Sequence, residues 1–286
     1  MATALLPRRA APWLLAVALL PAASWAQPAA VPSEPPERAR ARLGVLGLVQ
    51  QTVAGQPPAA GWPVIYMLDG DAALQALAQA NRADLARQAV LVGIGYDSPG
   101  RIDGQARAWD YTPALPGTGV HGAPDPRSPQ RRNGGAEAWL EFIETRVKPW
   151  VAGTTRVDTG RQTLYGHSYG GLFVLHTLLA RPQTFQRYVA ASPSLWWHAP
   201  YMMRRASDAG DFSHGAPTLH LMAGGAEMLR RPGAAPLATA GATTRLAAIL
   251  AAKPGLSHAA RVSRAVAHGA MLPASAQAAA ELAAQP

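Results

Sequence analysis

Gly166-His-Ser168-Tyr-Gly170 sets a serine between two glycines, behind a predicted strand at Gln162 to Tyr165. An apolar helical run from Leu172 to Ala180 follows and stops before Pro182. A serine in such a strand-to-helix turn sits in a strained backbone conformation, and glycines two positions away relieve the crowding. The turn presents the Ser168 hydroxyl at the carboxyl end of a sheet. It also sets the Tyr169 amide at a helix start, where it can stabilise an oxyanion. G-x-S-x-G alone is weak in a chain with 27 glycines. The flanking strand and helix separate it from an ordinary Gly-Ser turn. The chemistry implied is nucleophilic attack by a hydroxyl.

A serine hydroxyl needs a base to take its proton, and usually an acid to orient that base. Of eight histidines, His268 follows a predicted late strand, Arg261 to Val266, directly. His167 lies inside the turn and points the wrong way, His176 falls mid-helix, and His258 is the second candidate. Between Ser168 and His268 the carboxylates are Asp208, Asp211 and Glu227. Glu227 follows the predicted strand Thr218 to Met222, whereas the two aspartates precede it and start at the wrong end of the sheet. Ser168, Glu227, His268 is therefore the expected set. A second oxyanion amide belongs just after the strand ending at Leu68, at Gly70 or Asp71.

The elements that must position these groups alternate. Predicted strands lie at Leu43 to Val53, Pro63 to Leu68, Ala89 to Gly95 and Tyr188 to Ala191, besides those above. Helices are expected over Ala72 to Gln88, Ala136 to Trp150, Leu237 to Ala252 and Pro273 to Ala284. Residues 97–135 read as one long Gly/Pro-rich loop, a length that usually signals function. Strand-helix alternation implies an α/β fold, a mostly parallel sheet with helices on both faces. Gly93-x-Gly95 opens no helix, which excludes a dinucleotide fingerprint.

Arg8 and Arg9 precede an apolar run from Trp13 to Leu20, and Ser24-Trp25-Ala26 offers a cleavage site. Residues 1–26 thus read as a signal peptide and 27–42 as a Pro/Ala-rich linker before a domain at 43–286. The expected address is periplasmic, with no transmembrane segment in the mature chain. With no cysteine there is no disulfide or Cys-ligated metal, and no His/acid cluster has ligand spacing, so neither cofactor nor metal is expected. The formal charge of +9 favours anionic partners, although an arginine-rich coding bias gives the same count. The arginines are scattered, which argues against nucleic acid.

With these residues in hand, the chain resembles the esterase D-like family of α/β-hydrolases, and within it the periplasmic siderophore trilactone esterases. The likeness rests on Tyr66-Met-Leu-Asp-Gly70, Arg107-x-x-Asp110-Tyr-Thr-Pro113, Gly166 to Val174, Ala191-Ser-Pro-Ser-Leu-Trp-Trp197 and His268-Gly269. It implies an α/β-hydrolase fold, Ser168 as nucleophile, His268 as base and Arg107 near the substrate. Some members of that branch resemble Ser-His dyads, so the role of Glu227 stays open, and the opening strands look shortened here. The expected ligand is a small-molecule ester, with a ferric catecholate siderophore as the specific case. Trp196 and Trp197 either wall an aromatic acyl group or belong to the core. Arg107 either grips a substrate anion or pairs with Asp110. Two other classes remain: an acetyl or feruloyl esterase or acyltransferase acting on sugars, and a non-catalytic ligand-binding module of the same fold.

Overall fold

A computed structural model describes residues 37–43, 47–231, 234–238 and 240–286. The expected signal peptide and the linker segment 27–36 lie outside the described residues.

Strand β3 (Trp62–Leu68) shows how the core is divided. All seven of its residues are buried, with Val64, Tyr66 and Leu68 on one face of the sheet and Ile65 and Met67 on the other. That two-residue alternation requires helices on both sides. The sheet has eight strands in the order β1-β2-β4-β3-β7-β8-β9-β12. These are β1 (Glu37–Leu43), β2 (Gly47–Val53), β4 (Val90–Tyr96), β7 (Val157–His167), β8 (Arg187–Ala191), β9 (Thr218–Gly224) and β12 (Ser257–Ser263). The first two strands are antiparallel to their neighbours, and β4 through β12 are parallel. This is the α/β-hydrolase fold.

One face carries α1 (Gly70–Gln79) and α8 (His268–Ala284), whose Ala73, Leu77, Met271 and Ala276 pack on Ile65, Met67 and Tyr165. The other face carries α3 (Ala136–Phe142), α4 (Lys148–Thr154), α5 (Tyr169–Ala180) and α7 (Ala240–Ala251). A π turn over Ile143–Val147 joins α3 to α4 into one continuous helix. Every residue of α5 from Tyr169 to Leu178 is buried, as its uniformly apolar sequence demands.

Several elements differ from expectation. Residues 37–43 are a strand paired with β2, so the linker ends earlier than 42 and the sheet opens with two strands, not one shortened strand. The loop 97–135 contains α2 (Ala106–Asp110) and a hairpin of β5 (Ala123–Asp125) and β6 (Ser128–Asn133). Leu237 belongs to β11 (Ala234–Ala238), paired with β10 (Met228–Arg231), so the following helix begins only at Ala240. The last strand is 257–263, and α8 begins at His268 instead of Pro273.

Candidate active site

Parallel strands β3, β7, β8 and β9 end at one edge of the sheet, and every residue of the site hangs from that edge. At the end of β7, Ser168 adopts φ 61° and ψ −117°, the strained conformation expected of a serine at such a turn. Its amide donates to Ala191 O at 2.9 Å, which ties the turn to the neighbouring strand. A Cβ on Gly166 would lie 2.3 Å from the Gly170 carbonyl, so glycine there is obligatory. A Cβ on Gly170 would make only ordinary contacts, whereas one on Gly171 would lie 2.7 Å from Ala191 O. The second sterically required glycine is thus Gly171, one residue past the motif.

Ser168 Oγ lies 3.1 Å from His268 Nε2, and His268 Nδ1 lies 3.1 Å from Glu227 Oε2. His268 is the first residue of α8, with its side chain 45% exposed, open to water and substrate. Glu227, three residues beyond β9, is buried. Its other oxygen, Oε1, accepts from the Gly224 amide at 2.7 Å and from the Ser192 hydroxyl. Burial raises the Glu227 carboxyl, but the bonds from His268, Ser192 and Gly224 outweigh it and bring the group down to about 2. The carboxylate is therefore ionised, accepts a hydrogen bond from Nδ1–H, and leaves Nε2 free to accept from Ser168.

His167 supports the base without competing with it. Its Nε2 donates to the His268 carbonyl at 3.0 Å, and the two rings lie 4.7 Å apart. Burial, with His268 and Arg107 close by, pushes the His167 imidazole down to about 3.

The amides expected to face an oxyanion occupy two helix starts at this edge. Tyr169 opens α5 and Gly70 opens α1, followed by Asp71. The first bonds of each helix run from Leu172 to Ser168 O and from Ala73 to Asp69 O, so the earlier amides have no intrahelical acceptor. The Asp71 carboxylate accepts from Gln50 Nε2. Asp69 itself is left-handed at φ 51°, and its amide donates to the Tyr111 hydroxyl at 3.2 Å.

Two of the expected substrate contacts, Arg107 and Trp197, have partners within the chain. Arg107 is 9% exposed, and its guanidinium bridges both Asp69 oxygens at 2.9 and 2.8 Å, with a further bond to His167 O at 3.1 Å. Asp69, not Asp110, occupies its fork. Trp197 is fully buried and donates to Asn133 Oδ1 at 2.9 Å, which makes it core. Trp196 is half-buried, with its ring 5.7 Å from that of Tyr169 and the Arg127 guanidinium 5.1 Å above it. Tyr169 donates its hydroxyl to Asp125, anchoring the hairpin beside the turn.

Arg107→Met is expected to leave Asp69 buried and unpaired, a loss of about 3–5 kcal/mol in unfolding free energy. Urea denaturation measures it. Activity on simple and on large esters should fall in parallel, because the pair supports the Asp69–Gly70 turn.

A family model described as Putative esterase matches residues 51–226. The chain belongs to that family. The matched span stops one residue short of Glu227 and excludes His268, so those two stand on geometry. The chain is 40% identical over 156 residues to the ferri-bacillibactin esterase BesA of Bacillus subtilis, covering 52% of this chain and 53% of that protein. It is 39% identical over 142 residues to the apo-salmochelin esterase of Escherichia coli O6:H1, covering 48% and 43%. The chain thus spans about half the length of the curated relatives it matches. A solved enterobactin hydrolase, IroE, in complex with DFP superposes with a TM-score of 0.71 at 28% identity, covering 88% of this chain and 97% of that one.

Proposed function

We propose that this chain is a serine esterase that cleaves carboxylic esters through an acyl-enzyme. The observation that carries this reading is the unbroken relay from Glu227 Oε2 through His268 to Ser168 Oγ, each step at 3.1 Å. In acylation Ser168 Oγ attacks the ester carbon and its proton passes to His268 Nε2. The carbonyl oxygen becomes an oxyanion facing the Tyr169 amide and the Gly70 or Asp71 amide. Collapse expels the alcohol, which takes the proton from Nε2. Water then repeats the sequence on the acyl group, and Ser168 is restored.

The substrate class we propose is a catecholate siderophore ester. Three relatives are named esterases of bacillibactin, enterobactin and salmochelin siderophores. On this chain, Trp196 and Arg127 set an aromatic face and a cation beside Tyr169, which suits an anionic aromatic acyl group. Export to the periplasm is part of the proposal and rests on the Arg8 to Ala26 pattern.

The experiment compares a catecholate trilactone with a p-nitrophenyl short-chain ester. kcat/KM for the trilactone should be the higher, and Trp196→Ala should lower it about tenfold while sparing the small ester, since an aromatic contact acts through substrate parts remote from the scissile bond. A wild type that ignores the trilactone yet deacylates feruloyl or acetyl sugars would overturn the substrate class and keep the esterase.

A further inference from the structure

Ser194 is 1% exposed, carries a hydroxyl, and sits one turn beyond β8. Among the described residues the partner of that hydroxyl is Ser168 Oγ at 3.3 Å. The Ser194 amide also donates to Ser168 O at 3.2 Å, so residue 194 holds the nucleophile by backbone and by side chain.

The direction of the hydroxyl contact follows from counting protons. The Glu227 carboxylate accepts a hydrogen bond from Nδ1–H of His268, which leaves Nε2 as an acceptor. Ser168 has one hydroxyl proton, and it is donated in the hydrogen bond to Nε2. In the Ser168–Ser194 contact, Ser194 must then be the donor.

We propose that Ser194 is a catalytic residue that hydrogen-bonds the nucleophile oxygen and mainly accelerates deacylation. The inference rests on the acyl-enzyme reading above. At 3.3 Å the bond is long for a pair of hydroxyls, and it stabilises the resting state little. In the acyl-enzyme Ser168 Oγ is an ester oxygen without a proton, and Ser194 draws electron density from it. During deacylation water attacks the acyl carbon and yields its proton to Nε2. The carbon–Oγ bond then breaks, its electron pair goes to Oγ, and Oγ recovers the proton from Nε2. Negative charge builds on Oγ before that proton arrives, and a bond from a hydroxyl to an anionic oxygen shortens and strengthens. Ser194 keeps its own proton throughout. In acylation the same bond eases deprotonation of Oγ but blunts its attack, so the two effects oppose each other. A contact that strengthens as charge develops raises kcat, not affinity.

Ser194→Ala and Ser194→Cys test this, the second as a near-isostere with a weak donor. Stopped-flow release of p-nitrophenol separates the burst (acylation) from the steady state (deacylation), and intact-mass spectrometry reads the adduct on Ser168. For Ser194→Ala, the deacylation rate should fall about 10- to 100-fold, the range for losing one hydrogen bond to a charged group. The burst should stay within about threefold, KM should fall along with kcat, and the adduct should accumulate. Ser194→Cys should fall between the two, and it carries the test alone if the alanine variant does not fold. Equal losses in both phases, or no change in either, would overturn the role. If Ser168→Ala still turned over ester, the acyl-enzyme on Ser168 itself would be at fault, a separate result from either of these.

Discussion

Ser168→Ala should leave a folded protein with ester hydrolysis reduced by about 10⁶-fold, the scale on which an activated nucleophile is lost. The fold should survive because the change deletes one half-buried oxygen, while the φ of 61° is imposed by bonds that alanine keeps. Those are the Ser168 amide to Ala191 O and the Leu172 and Ser194 amides to Ser168 O. Thermal melting should therefore show the variant close to the wild type. A fluorophosphonate probe should label the wild type and not the variant. Labelling that persists at Ser192 or Ser194, the two buried serines nearest in chain to this edge, would move the nucleophile and sink the assignment. The same probe separates the catalytic reading from a ligand-binding module on this fold, which would leave both proteins unlabelled.

Much of this site is legible in the chain because it is local. Strand, turn and helix around Ser168 lie within 162–180, so the nucleophile and its amide can be read without tertiary contacts. Glu227 and His268 follow from the rule that parallel strands end on one side. The elements around His268 are placed differently from what their residues suggest, however. Pro273 looks like a first-turn proline, the usual place for one, but it sits in the second turn of α8, where it lacks the amide that would reach Gly269 O. The helix therefore starts five residues earlier and puts His268 at its first position.

What stayed hidden depends on partners distant in the chain. Arg107 and Asp69 are 38 residues apart, and nothing in either neighbourhood says that the arginine's fork is already filled. Trp197 and Asn133 are 64 apart, and their bond separates a core tryptophan from the accessible Trp196 beside it. The hairpin of β5 and β6 is short and proline-rich, so composition reads as loop, and its order comes from buried Asp125 and Asn133. Ser192 and Ser194 do carry a signal: they lie one and three residues past the end of β8, at the edge where the nucleophile sits. Two hydroxyls at that place deserve a role in any such reading, and here one meets Glu227 and the other Ser168.

Glu227→Gln should lower kcat by about 10⁴-fold, the loss seen when an orienting carboxylate becomes an amide. The size follows from which way the amide must turn. Oε1 receives two donors, the Gly224 amide and the Ser192 hydroxyl, so the glutamine oxygen is held there. Its NH₂ group then faces His268 Nδ1 and donates to it, which forces the ring proton onto Nε2. An Nε2–H cannot accept from Ser168, and the base is lost by tautomer and not by distance. Glu227→Ala imposes no tautomer and should retain more activity than Glu227→Gln, an order that a merely structural carboxylate would reverse. Stability reports the same carboxylate. Its pKa is lowered in the folded state to about 2, below the ordinary glutamate value of about 4.3. Its contribution to folding is therefore full above the ordinary value and is lost as pH falls through about 2. The advantage of wild type over Glu227→Gln in urea denaturation should accordingly shrink between about pH 5 and pH 2. A kcat loss under tenfold would mean that Ser168 and His268 work as a dyad, with Glu227 serving only to anchor the loop after β9.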